Sequence, residues 1–369
     1  MNQFEFTLRN PDRVLNITFG EATPEQLLQC RYIAAAEFGQ PLTKEDYVKL
    51  EELLAQKPLA TDKGLRVWCL SLTHDPAQVL TTCKTLPREY LIHDMSGVSR
   101  QKAYCIAAVA TDPRYRGQGL ASRLLEFVAA WLDAPGNAVA SFLYTSIGDF
   151  YNRRGWKKVP AYLATLSWPS NSLPSIDRAL LPETRSVLST DLSELCMRDV
   201  RDVESRLTQL QPLANETHVC VLPTANLITF HHGRSDFVGT KVQGAPPKSY
   251  GSRCESADSW LYWYHDIRKQ ELAVQRVRVP AESHQIHRDA IAAMLLDAIE
   301  EACAWKLPRV ILWDPSPELL SVMQMLQEQF QIKSETVARN KKSVPSLRWR
   351  HADASNKITF HFNEFYTRC

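Results

Sequence analysis

One stretch constrains this chain more than any other, the thirty residues from Ala103 to Leu132. Ala103 to Thr111 is apolar and short, which predicts a buried strand. Asp112-Pro113 then stops the ladder, because proline fixes φ and has no N–H to donate. Beyond it, Leu120, Leu124, Phe127, Val128 and Trp131 recur on one face of a helix. Strand and helix are joined by Arg114-Tyr115-Arg116-Gly117-Gln118-Gly119-Leu120-Ala121. Gly117 and Gly119 remove the side chains that would hold a ligand off the backbone. The first amides of the helix lack intrahelical partners and carry the positive end of its dipole. The expected product is an anion site for a phosphate or pyrophosphate.

Other nucleotide-binding patterns fit less well. No Lys-Ser/Thr follows the glycines as in a P-loop, and the dinucleotide fingerprint would need a third glycine. A net charge of +2 over 369 residues offers no field for a polyanion, which argues against nucleic acid as a partner. The length suggests about two domains on a prior of roughly 150 residues each. Nine scattered cysteines, with no Cys-x-x-Cys pair, argue against zinc and a disulfide framework, and read as reduced thiols in a cytoplasmic protein. No signal peptide is visible, and no stretch reaches the roughly 18 apolar residues of a membrane span.

In chain order, Val14 to Phe19 reads as a first strand. Thr23-Pro24-Glu25 starts a helix to about Phe38, and Thr43 with Asp46 starts another through Leu54. Strands are expected at Leu65 to Leu72, Val79 to Thr85, Glu89 to His93 and Ala103 to Thr111. After the glycine-initiated helix come a strand at Ala138 to Tyr144, a short helix at Gly148 to Arg153 and a closing strand at 156–167. Strands 103–111 and 138–144 should run parallel and flank the helix. The class is α/β, in the α+β sense of helices on a mixed sheet.

Arg116-x-x-Gly119-x-Ala121 resembles the Gln/Arg-x-x-Gly-x-Gly/Ala signature of the GCN5-related N-acetyltransferases. Phe150-Tyr151-x-x-x-Gly155-Trp156 is similar to the segment that closes the coenzyme site in that family, and the order of elements is the same. The resemblance implies that Arg114, Arg116, Gly117, Gln118, Gly119, Leu120 and Ala121 bind the pyrophosphate of acetyl-coenzyme A, with Phe150 and Tyr151 against the coenzyme. Ser146 stands near the place of an asparagine common in the family. Transfer from a thioester also asks for an amide donor to the carbonyl oxygen, expected near Ala108, Val109 and Ala110. The leaving thiolate must be protonated, and a phenol with a pKa of about 10 beside a thiol of about 8.5 can do so. Tyr151 is therefore the expected general acid. An amine nucleophile must lose a proton, for which Glu37, His93, Asp94 and residues of the C-terminus are candidates. The resemblance further implies that the helix pair carrying Glu37, Glu45, Asp46 and Glu51 flanks the acceptor, where a cationic amine would want carboxylates. No metal is called for.

Beyond residue 168 a Pro/Ser-rich linker is expected over 169–190, separating an acetyltransferase domain (1–168) from a C-terminal lobe (191–369). That lobe reads as a helix from about Asp191 to Gln211 and strands at Val219 to Leu222 and Leu227 to His231. A hairpin follows at Trp260 to Tyr264 and Leu272 to Val279. Next come a helix over about 284–305, a strand from Arg309 to Trp313 and a helix over 317–329. A last hairpin joins Ser346 to Trp349 with Ile358 to Phe362. The order repeats the first half without its glycines, as a degenerate acetyltransferase-like lobe would. His284-x-x-His287 reads as helix surface, His231-His232 as strand-end packing, and Cys105 as a buried structural thiol. Together with Phe38-Gly39-Gln40-Pro41, Gly64-x-x-x-Trp68 and Asn363 to Cys369, these motifs resemble the fungal lysine N6-acetyltransferase family. That resemblance implies acetylation of the ε-amine of free L-lysine. Acetylation of a polyamine, another amine metabolite or a protein amine, and a non-catalytic acyl-coenzyme A-binding protein, are the alternatives.

Overall fold

The computed structural model describes residues 2–9, 12–169, 178–281, 284–330, 332–350 and 357–368; most of the Pro/Ser stretch and the last cysteine, Cys369, lie outside them. The first half contains β1 (Asn2–Arg9), β2 (Asp12–Glu21), α1 (Pro24–Phe38), α2 (Lys44–Ala55), β3 (Arg66–Leu72), β4 (Val79–Asp94), β5 (Gly97–Thr111), α3 (Leu120–Asp133), β6 (Ala140–Thr145) and β7 (Lys157–Lys158). β8 (Tyr162–Ser167) and β9 (Arg185–Ser186) follow. Next come α4 (Leu192–Thr208), β10 (Glu216–Val221), α5 (Ala225–Gln243), β11 (Gly251–Cys254), β12 (Ser259–Asp266) and β13 (Glu271–Arg278). The chain ends with α6 (Gln285–Ala304), β14 (Arg309–Trp313), α7 (Pro317–Phe330), β15 (Lys333–Ala338), β16 (Val344–Trp349) and β17 (Lys357–Phe360).

Local chemistry explains the helix starts. Thr23 accepts from the Gln26 amide while the Gln26 side chain accepts from the Thr23 amide, and Pro24 fills the first turn, where no amide is needed. Thr43 Oγ1 accepts from the Asp46 amide at 3.1 Å to begin α2. The apolar stripe of α3 buries Leu120, Leu124, Leu125, Val128 and Leu132 on the first sheet. Phe127 stacks on Phe19 at 4.8 Å, and Trp131 tilts onto Trp68 at 4.7 Å.

Two mixed sheets result. The first runs β1-β2-β3-β4-β5-β6-β16-β7, with β10 and β17 attached along the far part of β4. β5 and β6 are parallel, but they pair only from Ala103/Ala140 to Cys105/Phe142 and part beyond. The second sheet runs β15-β8-β14-β13-β12-β11-β9, and there β13 and β14 are the parallel pair, with α6 between them in sequence. Each half sends a strand into the other sheet. β16 pairs antiparallel with β6, and β8 pairs antiparallel with β14. A shared core of Tyr90, Phe142, Val219, Trp260, Tyr262 and Tyr366 lies between the sheets.

Several expectations are corrected. Leu227 to His231 is helical, not extended: its β-branched and aromatic residues belong to the nineteen-residue α5, begun at Thr224 and ended by Gly244 in the left-handed region. Val79 to His93 is one strand, because Pro87 and Arg88 pair across to Tyr104 and Ala103 without a break. The hairpin β1–β2 puts a strand ahead of the expected first one. The closing strand at 156–167 is two strands in two sheets, and Gly148 to Arg153 holds only the start of a 3-10 turn, Asn152–Arg154. Finally, β16 and β17 do not pair with each other; β17 lies parallel to β10.

Candidate active site

The glycine loop takes the backbone path its composition requires. Gly117 and Gly119 have φ of +74° and +93°, where a Cβ is strained, and Gly119 caps α3 without a side-chain bond. Asp112 accepts from the Arg114 amide at 2.9 Å and pairs with its guanidinium at 2.8 Å. That bond holds the Asp112 carboxyl below its ordinary range. Arg116 reaches back to the Thr111 carbonyl at 3.3 Å and pairs with Glu37 at the end of α1. Gln118 Oε1 accepts from the Arg9 amide at 2.7 Å.

Around the loop lies a cavity of about 260 Å³, lined by Arg9, Gly117, Gly119, Ala121, Phe150 and Arg154 among others. Most of the loop residues singled out in the sequence therefore converge, but Arg114 and Arg116 are engaged with carboxylates. The guanidiniums on the cavity wall are Arg9 and Arg154, which sequence reasoning missed. Arg154 lies 3.9 Å over the Phe150 ring and bonds Ser122. Ser146 sits farther along, accepting from the Ser343 amide at 3.2 Å where β16 enters the sheet.

The second cavity opens where β5 and β6 part. Opposite β4 the register shifts, Thr82 facing Ala110 but Lys84 facing Ala107, and Ala108 takes φ +50° to absorb the extra residue. This bulge forms one wall of a cleft of about 210 Å³. α1 and α2 contribute Phe38, Tyr47 and Glu51, the second half contributes Phe230, Arg234, Tyr264 and Arg268, and the C-terminal segment adds Phe365 and Arg368. Inside it Glu51, 3% exposed, pairs with Lys84, and Arg234 lies 3.4 Å from its other oxygen. Asp266 pairs with Arg368 at 3.2 Å. The Tyr144 hydroxyl, also on the wall, donates to Asn363 Oδ1 at 2.8 Å and bonds Thr367. Behind the Glu51–Lys84 pair lies a third cavity of about 230 Å³, which shares those two residues and Ala108.

The C-terminal segment is held there by buried groups. The Arg368 carbonyl accepts from Arg88 at 3.0 Å and meets His231 Nε2 at 2.9 Å. Arg276, pinned by Asp199 at 2.8 Å, also pairs with Glu364.

Two of the expected catalytic residues lie apart from the cleft wall. Tyr151 packs within the first core, 7% exposed, and burial pushes its phenol up, with Cys83 nearby adding to the rise. His93 is at the far end of β4, its Nδ1 2.7 Å from the Leu207 carbonyl, opposite His218. Its neighbour Asp94 accepts from the Ser96 amide at 2.7 Å. Glu37, next to the cleft residue Phe38, links the two sites: its carboxylate takes Arg116 and its carbonyl accepts from Arg268 at 2.9 Å. Of the acids expected on the helix pair beside the acceptor, Glu51 lines the cleft, whereas Lys84, Arg234, Arg268 and Tyr144 were missed. Their only signal was charge on helix and strand faces, which is ordinary until a partner lobe covers it.

The remaining features are structural. His287 Nδ1 accepts from the His284 amide at 3.1 Å and so caps α6. His231 and His232 are buried on α5, and Cys105 is buried on β5. Among the described residues eight cysteines are free thiols, no group of three ligands could hold a metal, and no helix is long and apolar enough to cross a membrane.

Comparison with known proteins agrees with this architecture. Residues 22–159 match the family model for the acetyltransferase (GNAT) domain, and residues 165–369 match that for the LYC1 GNAT-like C-terminal domain. The uncharacterized protein YGR111W of Saccharomyces cerevisiae is 22% identical over 287 residues, covering 70% of each chain. A conserved protein of Enterococcus faecalis superposes with a TM-score of 0.54 at 13% identity, over 90% of this chain and 72% of its own. A GCN5-related N-acetyltransferase of Anabaena variabilis gives 0.53 at 14%, over 91% and 73%. At such identities these structures speak for the fold alone. With an acetyltransferase domain matched in its first half and more than half its length matched in the second, the chain is an acetyltransferase of the GNAT superfamily and belongs to the family defined by the LYC1 GNAT-like C-terminal domain.

Proposed function

We propose that this enzyme passes the acetyl group of acetyl-coenzyme A directly to a small amine, first of all the N6-amine of free L-lysine. One observation carries the reading. A single strand, β5, leads from the bulge at Ala108 in the enclosed cleft to Thr111 on the wall of the glycine-loop cavity. A diphosphate held by the amides around Gly119 at the start of α3 would send its thioester arm along the gap between β5 and β6, with the carbonyl oxygen toward the amides of Ala108 to Ala110.

The chemistry then needs three proton transfers. The ammonium of the acceptor gives up a proton to a carboxylate; of the two buried ones in the cleft, Glu51 and Asp266, Glu51 is the one held beside the bulge by Lys84. The amine forms its bond to the carbonyl carbon, the C–S bond breaks, a phenol protonates the thiolate, and the phenol is restored by the second proton that the nitrogen sheds as it becomes the amide. Tyr151 is that phenol by its motif. A second reading assigns the step to Tyr144, because its hydroxyl is on the cleft wall whereas Tyr151 is packed behind it. The free thiols suit a reducing compartment such as the cytoplasm.

Thiol release from acetyl-coenzyme A with lysine, putrescine or a lysyl peptide tests the proposal. Lysine should turn over fastest. A preference for one of the other amines would replace lysine, and coenzyme binding without thiol release would leave a silent acyl-coenzyme A-binding protein. Tyr151→Phe should cut kcat by roughly a hundredfold with little change in coenzyme affinity, the usual scale of losing a general acid. An unchanged rate in that variant together with a loss in Tyr144→Phe would move the role to Tyr144.

A further inference from the structure

Resting on the acetyl-transfer reading above and on its assignment of the acid step to Tyr144, we infer that Arg339 is a positioning residue for that step. Its buried guanidinium stabilises the Tyr144 phenolate and so fits the phenol to protonate the coenzyme thiolate.

The argument begins with a buried cation that lacks a close counter-ion. Arg339 follows β15, is 6% exposed, and donates its amide to the Ala161 carbonyl at 2.8 Å. Nη2 donates to the Ser343 carbonyl, and Nη1 has no hydrogen-bond partner among the described residues. The acidic groups that act on this guanidinium are Tyr144 and Asp314, and Arg368 is the other cation in range. Asp314 is engaged elsewhere, accepting from the Tyr162 amide and from Asn363 Nδ2. What the guanidinium does meet is aromatic: it lies 3.5 Å from the centre of the Trp313 ring and 5.7 Å from that of Tyr144. Burying a charge in this way is costly unless negative charge answers it. Of the two acidic groups, Tyr144 is the one on the cleft wall.

Placement supports the same role. Tyr144 lies on β6 just beyond Phe142, where the pairing of β6 with β5 ends, so it borders the gap proposed for the thioester arm. The Trp313 ring, 5.1 Å from that of Tyr144, links phenol and guanidinium. The Tyr144 hydroxyl donates to Asn363 Oδ1 at 2.8 Å, and Asn363 Nδ2 donates to Asp314 at 2.8 Å, which holds the amide in one orientation. Thr367 Oγ1 also bonds the hydroxyl. When the C–S bond breaks, the hydroxyl proton passes to sulfur, an S–H bond forms, and a phenolate remains. Thr367 can then turn its hydrogen toward that oxygen, and Arg339 offsets the new charge across the ring. The second proton shed by the nitrogen restores the phenol.

The pH dependence of kcat, measured with the amine that turns over fastest, separates this role from packing. In the wild-type protein kcat should fall at high pH as Tyr144 ionises. Arg339→Gln, which keeps a donor for the Ser343 carbonyl but not the charge, should lower kcat roughly tenfold at pH 7.5. It should also move the high-pH fall upward by about one pH unit or more, since loss of the cation makes the phenol a weaker acid. Arg339→Lys, which keeps the charge, should recover most of both effects, and KM for acetyl-coenzyme A should change in neither. Ultraviolet titration of tyrosinate reads the same coupling without turnover. The difference between proteins with and without Tyr144→Phe isolates this one phenol, and in the Arg339→Gln background it should titrate at higher pH. That shift is expected even should acetyl transfer itself fail. Full activity in Tyr144→Phe, an unmoved titration, or a loss in Arg339→Gln that leaves the pH profile in place would overturn the inference.

Discussion

At the residue scale the glycine loop is the sharpest case. Gly119 sits at φ +93°, and a Cβ built there would meet only the Phe6 ring edge at 3.9 Å, so the space is adequate and the backbone conformation is not. Gly119→Ala should therefore lose stability by about 1–2 kcal/mol from left-handed strain. If the loop relaxes to avoid that strain, its amides turn from the cavity, so coenzyme A affinity should fall by about tenfold or more for each 1.4 kcal/mol lost. A melting curve and a coenzyme titration of the same variant check both halves; unaltered affinity would remove these amides from the diphosphate site. Glycine pairs are legible in a sequence because glycine adopts such φ values without the strain that a Cβ brings. Arg234 was not legible, since an arginine on a helix face is ordinarily solvated.

At the element scale, helix ends and apolar stripes were readable, and strand partners were not. Thr23, Pro24 and Gln26 define the start of α1 through contacts within four residues. Thr23→Ala should cost about 1 kcal/mol, measured as a shift in the denaturant midpoint, because the Gln26 amide loses its side-chain acceptor. The structure also explains why α5 was taken for a strand at Leu227 to His231. Ile-Thr-Phe-His has extended propensity locally, but the helix buries Leu227, Ile228, His231, His232 and Ser235, and packing overrides propensity. β4 spans both Val79 to Thr85 and Glu89 to His93, with Pro87 between them. The proline ring faces Tyr104 in the ladder, and the strand continues past it.

At the scale of the whole molecule the two halves are interlocked. The strand exchange of β8 and β16, the core between the sheets and the charged cluster of Asp199, Arg276 and Glu364 tie the C-terminal segment to the acceptor cleft. α5 shares in this interface with two buried histidines. His232 Nε2 lies 2.6 Å from Gln275 Oε1, and Gln275 Nε2 lies 3.1 Å from His231 Nδ1. Burial lowers the pKa of His231 well below 6.5 and that of His232 to about 4. As pH falls through 6.5 the unfolded chain takes up protons that the folded chain refuses. Their contribution to stability is therefore complete above that pH and declines toward pH 4. The slope is up to about 1.4 kcal/mol per pH unit for each histidine. Urea midpoints at pH 7.5 and 5.0 should differ accordingly, and His232→Gln should flatten the difference; identical midpoints for the wild-type protein would refute this.

What the sequence determined by itself was whatever depends on neighbours a few residues away. That includes the turn at Asp112-Pro113, the left-handed glycines, the capped helices and the apolar face of α3, which together specify an anion-binding strand–loop–helix. The tertiary structure alone decided which residues enclose the cleft proposed for the acceptor. Its walls come from α1, α2, the bulge in β5, α5, the turn after β12 and the C-terminal segment, positions as far apart in the chain as Phe38 and Arg368. Short-range preferences cannot register such contacts, because the charges on those segments acquire meaning only when burial removes the water that would otherwise satisfy them.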